Sequence, residues 1–302
     1  MPSQRRARFS VEVTIPMSRP VALCADSTCD LGAALCEQFH VNLLPFPVIL
    51  DEQEYLDGVT IDADMIYAVY REKKILPHTA AINVGGYVDY FRPFVEQGMD
   101  VVHLSLGHGL SSTYQNACLA AEEFEGRVFV VDTGNLSTAS GLSVIEAAKR
   151  IAEGKSAEQV AAETRALTGR CHGSFVLDTL EFLHKGGRCS ALAMMGANLL
   201  QLKPCIEVNN TDGTMGVGKK YRGSTQKARE QYVRDRLAGR EDIDYEKIFI
   251  THSGTSEENI ERIRQVVLEC GPFETIYITR AGCTISSHCG PECLGVLFMT
   301  KE

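Results

Sequence analysis

A chain of 302 residues is longer than one hydrophobic core usually organises, so two domains are expected, and 44% apolar with 23% charged residues is the composition of an ordinary globular protein. The net charge of −9 excludes nucleic acid as the main partner, because phosphate binding needs a basic face, and it opposes adhesion to an anionic membrane surface. Eleven cysteines, an odd number spread over the whole length, read as buried reduced thiols of a cytoplasmic protein and exclude the disulfide framework of a small secreted scaffold.

The first 19 residues carry Arg5, Arg6, Arg8 and Arg19 around a short apolar stretch broken by Glu12. This predicts a disordered tail over 1–19, with Met17 as an alternative start, and not a signal peptide. No apolar run reaches the roughly 20 residues that span a bilayer. Short β-branched or aliphatic runs then predict strands at 21–25, 101–106, 128–131, 174–177, 248–251, 275–279 and 294–299. Between them, Leu142, Ile145, Ala148 and Ala152 share one helical face that Gly154 ends, and Ser156 with Gln159 has capping-box spacing for the next helix. Strands alternating with helices predict a mostly parallel sheet covered on both faces, an α/β/α domain over 20–168. Beyond 168 glycines concentrate, and Asn209-Asn210-Thr211-Asp212-Gly213 reads as a hairpin turn, so a second, mixed α+β domain is expected over 169–302. There is no internal repeat and no low-complexity segment.

The first three strands end in small polar clusters: Asp26-Ser27-Thr28, then residues 105–113, then Asp132-Thr133. Ligands of open α/β sheets bind beyond the carboxyl ends of the strands, although the same residue types also serve simply to cap helices. In the second cluster, Ser112 and Gln115 have the spacing to cap a helix containing Ala117, Ala121 and Phe124. The positive end of that helix suits a carboxylate or a phosphate, and Ser111 at its entrance can both donate and accept. Gly109-Leu110-Ser111-Ser112-Thr113 is one residue short of a Gly-x-Ser-x-Gly nucleophile elbow. A serine hydrolase with Ser111 as nucleophile, His288 as base and Asp132 or Asp178 as orienting acid is therefore an alternative, opposed by Thr113 in place of the last glycine. Gly154-Lys155-Ser156 is not a P-loop, since Lys149 stands where the first glycine belongs. Cys283, Cys289 and Cys293 around His288 match no zinc finger or ribbon spacing, and no metal is expected. His252, followed by Ser253-Gly254, is expected to be a turn residue.

Taken together, Ala25-Asp26-Ser27-Thr28-Cys29-Asp30-Leu31, Tyr55-Leu56-Asp57-Gly58, Leu110-Ser111-Ser112-Thr113-Tyr114-Gln115, Lys185-Gly186-Gly187-Arg188, Lys203-Pro204 and His288-Cys289-Gly290-Pro291 resemble the successive motifs of the DegV family, in order, from about Val21 to Phe298. The resemblance implies an N-terminal α/β/α domain and a C-terminal two-layer α/β domain with a mixed sheet. It further implies a long-chain fatty acid held between the two, with no other cofactor. As in the better-understood members of that family, the resemblance implies a protein that is not an enzyme by itself and presents the fatty acid to a separate ATP-dependent kinase, which makes an acyl-phosphate. Carried over by position, Ser111 would bind the carboxylate, Thr79 would support it, His288 would lie near it, and Arg188 would engage the kinase. Lys219, Lys220 and Arg222 would extend that basic surface. Asp26, Ser27, Ser112 and Thr113 are further pocket candidates. Leu192, Met194, Met195, Leu199, Leu200, Leu202 and Ile206 are candidates for the tunnel wall, where methionine suits a variable chain. The departures are Gly107-His108 in place of two serines, Ser112 in place of glycine, Ala80-Ala81-Ile82 after Thr79, and Glu292 in place of glycine. A lipid sensor with no kinase is a third reading.

Overall fold

In the computed structural model, which describes residues 19–189 and 202–301, the chain opens with β1 (Val21–Asp26), α1 (Gly32–Gln38) and β2 (Val41–Leu44). There follow β3 (Pro47–Leu50), β4 (Gln53–Leu56), α2 (Ala63–Lys73), β5 (His78–Thr79) and α3 (Val84–Glu96). Then come β6 (Asp100–Ser105), α4 (Thr113–Ala121), β7 (Val128–Asp132), α5 (Ser137–Ala152) and α6 (Ala157–Leu167). Residues 1–18 of the expected tail lie outside the described residues, as do Leu192, Met194, Met195, Leu199 and Leu200 of the expected tunnel wall.

The first sheet has the order β2-β1-β6-β7 and is parallel throughout, as the alternation of strands and helices predicts. Side chains alternate across a strand, and β1 shows it. Ala22 and Cys24 pack with Tyr87 and Phe91 of α3 and Ala117 of α4, whereas Leu23 and Ala25 pack with Leu142 and Ile145 of α5 and Val160 of α6. The result is three layers. The chain reverses direction across the sheet between β1 and β6, so the crevice rule points to the ends of those two strands. The capping box is present, with the Gln159 N–H donating to Ser156 Oγ at 3.3 Å and the Ser156 N–H to Gln159 Oε1 at 3.0 Å.

The second half contributes β8 (Cys171–His172), β9 (Ser174–Val176), α7 (Glu181–Gly186), β10 (Leu202–Val208), β11 (Met215–Arg222) and α8 (Thr225–Leu237). It continues with β12 (Ile243–His252), α9 (Glu257–Cys270), β13 (Thr275–Arg280), α10 (Cys283–Cys289) and β14 (Leu294–Thr300). Its sheet runs β11-β10-β9-β14-β12-β13, with β8 also on β14; β12 and β13 are parallel and the other neighbours antiparallel. The predicted turn joins β10 to β11, the Gly213 N–H donating to Asn209 O at 2.7 Å. Tyr232 of α8 and Ile263 of α9 cover one face, over Ile248, Ile250 and Phe298.

The other face meets α5, whose Leu142 and Ile145 belong to one cluster with Phe249, Leu297 and Met299. Through its first half this helix lies between two sheets, which is why Ser140, Gly141, Ser143, Val144 and Ala147 are buried along with Leu142 and Ile145 of the expected stripe, while Ala148 is half-buried and Ala152 at its end is exposed. A Cβ on Gly141 would sit 2.8 Å from Leu31 Cδ2, so glycine permits that approach. A third, small antiparallel sheet, β4-β3-β5, is not anticipated from the strand pattern because its members are only two to four residues long. It carries Thr79. Among the described residues, no helix is long and apolar enough to cross a membrane.

Candidate functional site

At the end of β1, Asp26 is 1% exposed. Its oxygens accept from the Tyr87 hydroxyl (2.9 Å), the Ser105 hydroxyl (2.9 Å) and the Leu106 N–H (2.8 Å), and His103 Nε2 lies 3.0 Å away. Asp26 is thus a tie between the two strands at the reversal point, and it is not among the residues that line the chambers described below. Beyond it the chain turns through Gly107 and Gly109. A Cβ on either would meet backbone at 2.8 Å (Asn135 N) or 2.7 Å (Asp212 O), so the loop is pressed between the turn after β7 and the β10–β11 hairpin. That packing places Ser111 at the start of α4. Ser112 occupies the cap position without a side-chain capping bond, and Ser111 Oγ instead accepts from the Thr113 N–H at 3.4 Å.

From the opposite side come β5 and α10. Thr79 Oγ1 and His288 Nε2 share a hydrogen bond of 2.9 Å. Burial, with Arg188 and His78 adding to it, pushes the His288 pKa down to about 4, so the ring is neutral near pH 7. Among the described residues its Nδ1 is buried without a partner, against Gly186, where a Cβ would come within 2.2 Å. Arg188, two residues on, is exposed and donates to Gly186 O at 2.7 Å.

The helix carrying His288 is held by two carboxylates from far earlier in the chain. Asp57 accepts from the Cys283 N–H (2.6 Å), the Thr284 N–H (3.0 Å) and the Ser27 hydroxyl (3.1 Å). Asp30 accepts from the Gly282 N–H (2.8 Å) and bonds the Ser137 hydroxyl at 2.5 Å. Ser137 adopts the left-handed φ of 52° to reach it. Burial raises the Asp30 pKa from 3.8 to about 8, against the lowering effect of Ser137 and Gly282, with Asp57 adding to the rise.

Between about pH 4 and 8 the folded chain therefore keeps a proton that the unfolded chain has released, so this carboxyl's contribution is present below pH 4 and lost as pH rises toward 8. Asp30→Asn is expected to remove that dependence, the stability of the variant gaining on the parent steadily from pH 4 to 8. Urea denaturation at intervals of one pH unit measures it, and a constant difference would refute the assignment.

These elements enclose a cavity of about 60 Å³, with Thr79, Ser111, Arg188 and His288 in its wall and Phe46, Leu106, Leu110 and Leu183 among its apolar lining. Leu136, Phe175, Ile285 and Cys289 are shared with a second chamber of about 30 Å³ that extends to Val208, Gly295 and Leu297, between α5 and the larger sheet. Four of the expected site residues, Thr79, Ser111, Arg188 and His288, thus meet at one chamber.

Others do not. Asp26 and Ser27 lie in the networks above, the Ser27 hydroxyl also accepting from the Phe46 N–H at 3.1 Å. Thr113 is fully buried inside α4, and Ser112 lines an outer cleft instead. Ile206 is buried in the core and Leu202 is half-buried, and neither is in the wall of the two chambers. The hydrolase arrangement is not assembled: Asp132 pairs with His108 (2.5 Å), Asp178 with Lys203 (2.6 Å) and the Thr225 hydroxyl (2.5 Å), and His288 with Thr79. His252 Nδ1 accepts from the Gly254 and Thr255 N–H groups, both at 3.2 Å, as a turn residue does. Lys219 is paired with Asp235 at 2.5 Å, while Lys220 and Arg222 are exposed on β11. Gly186, Asp30 and Asp57 were not singled out individually, although each stands inside a motif that was.

Comparison with known proteins adds the following. A family model described as "Uncharacterised protein, DegV family" matches residues 20–301. A DegV domain-containing protein of Clostridium acetobutylicum is 29% identical over 283 residues, covering 93% of this chain and 99% of that one. A solved DegV family protein from Thermus thermophilus, described by its fatty acid binding, superposes with a TM-score of 0.82 at 33% identity, over 93% of this chain and all of the other. A fatty acid binding DegV family protein from Streptococcus agalactiae superposes with a TM-score of 0.79 at 25% identity, over 93% and 99% of the two chains.

Proposed function

The chain belongs to the DegV family, and from that premise we propose that it binds one long-chain fatty acid, its tail in the two adjacent chambers and its carboxylate at Thr79 and Ser111. The observation that carries this reading is the Thr79–His288 pair at one side of a mainly apolar chamber whose wall also includes Ser111. A buried carboxylate needs donors. With the proton of the neutral imidazole on Nε2, His288 donates to Thr79 Oγ1, Nδ1 stays bare beside Gly186, and the Thr79 hydroxyl hydrogen is free for the ligand. The Ser111 hydroxyl supplies a second donor. At ~0.8 kcal/mol per buried methylene, a sixteen-carbon chain offers about 11 kcal/mol before the costs of association, so the tail supplies affinity and the hydroxyls fix the head.

In this reading the protein does no chemistry alone. Arg188, exposed and in the wall of the same chamber, is the contact for an ATP-dependent kinase that phosphorylates the carboxylate. Denaturing the purified protein and analysing the released small molecules by mass spectrometry tests the binding; a stoichiometric fatty acid is expected, and its absence after loading would refute it. Adding the kinase and ATP should yield acyl-phosphate, whereas a sensor would leave the acid unchanged. Ser111→Ala is expected to weaken fatty-acid affinity about tenfold, the worth of one hydrogen bond to a charged group. Competition with a fluorescent fatty acid measures it, and unchanged affinity would remove Ser111 from the role.

A further inference from the structure

Ser111 borders two spaces. It lines the apolar chamber and also, with His108, Ser112, Tyr114, Gln115 and Asp132, an open cleft of about 710 Å³. In that cleft His108 is a built feature and not a loose surface side chain. Its Nδ1 lies 2.5 Å from Asp132 Oδ2 and its own N–H donates to Asp132 Oδ1 at 3.3 Å, while the Gly134 N–H donates to the same oxygen at 2.9 Å. The loop beneath it is wedged by Gly107 and Gly109. A carboxylate only accepts, so Nδ1 carries the proton, and in the neutral ring Nε2 is left as a bare acceptor on a side chain that is 52% exposed. Among the described residues no hydrogen bond uses it.

Ser112, Tyr114 and Gln115 each offer both donor and acceptor, and no lysine or arginine lines the cleft. With no lysine or arginine among these lining residues to pair with a charged head, and with hydroxyl and amide groups that both donate and accept, the lining suits a neutral group rich in hydroxyls. We propose that this cleft is a second ligand subsite, which takes the hydroxyl-bearing head of a neutral fatty-acid ester, a monoacylglycerol being the simplest. The acyl carbonyl would lie at Ser111, and a head-group hydroxyl would donate to His108 Nε2. The inference rests on the fatty-acid reading above, since the acyl tail must occupy the same chambers.

The test titrates delipidated full-length protein with palmitate and with 1-monopalmitoylglycerol, each displacing a fluorescent fatty acid. Both should bind to the parent protein. His108→Ala, and separately Asp132→Asn, which keeps shape and a backbone acceptor, should each lower the glyceride-to-acid affinity ratio about tenfold. A ratio unmoved in both variants overturns the subsite, as does a parent protein that binds palmitate alone. Binding of neither ligand overturns the fatty-acid reading itself, and the subsite with it.

Discussion

Gly186→Ala is expected to weaken fatty-acid binding by roughly thirtyfold to a hundredfold, about 2–3 kcal/mol, while leaving most of the stability in place. A methyl group at this position would lie 2.2 Å from His288 Nδ1 and 3.0 Å from Cε1, closer than atoms can approach. Either the ring or the end of α7 has to move, because Gly186 is the last residue of that helix. Displacing the ring disturbs the 2.9 Å bond to Thr79, and the threonine hydroxyl then loses the partner position that orients it. Two features of the head-group site fail together, which is why the effect exceeds that of Ser111→Ala. Fluorescent fatty-acid competition gives the affinity and thermal melting the stability. Full affinity in a folded variant would show that His288 does not orient the carboxylate donor.

Asp57→Ala is expected to cost about 3–5 kcal/mol of stability, because three donors lose their acceptor inside the protein and each stranded group costs on the order of 1–3 kcal/mol. The Cys283 and Thr284 N–H groups are the free donors at the first turn of α10, which has no side-chain cap of its own. Asp57, itself 5% exposed, acts as that cap from 226 residues away. The same helix contributes Thr284, Ile285, His288 and Cys289 to the chamber wall, so lipid retention should fall along with stability. Urea denaturation with and without added palmitate separates the two effects. A variant within 1 kcal/mol of the parent would mean that water or a neighbouring group replaces the carboxylate at α10.

The parallel sheet, the capping box, the hairpin turn and the strand pattern were legible because each rests on residues close together in sequence. The run from Val101 to Leu106 can bury both faces only in a covered sheet, and Ser156 reaches Gln159 within one turn of helix. The small sheet bearing Thr79 was not legible, since β5 is two residues long and exists only through its pairing with Val48 and Ile49. Asp26 looked like a ligand residue because it ends a strand at the reversal point. Its four partners lie 61 to 80 residues away, and nothing in its local context distinguishes a strand tie from a binding group.

By itself, the sequence determined the two kinds of sheet and carried the family motifs through which Thr79, Ser111, Arg188 and His288 became candidates, because periodicity and short motifs are properties of neighbouring residues. Tertiary structure alone decided that Asp132 serves His108 and not His288, that the first half of α5 is buried between two sheets, and that Asp30 and Asp57 hold the start of α10. Those outcomes depend on which buried donor meets which acceptor when distant segments close on one another. A carboxylate that must be satisfied can choose among many donors, and only the packed chain fixes which one it finds.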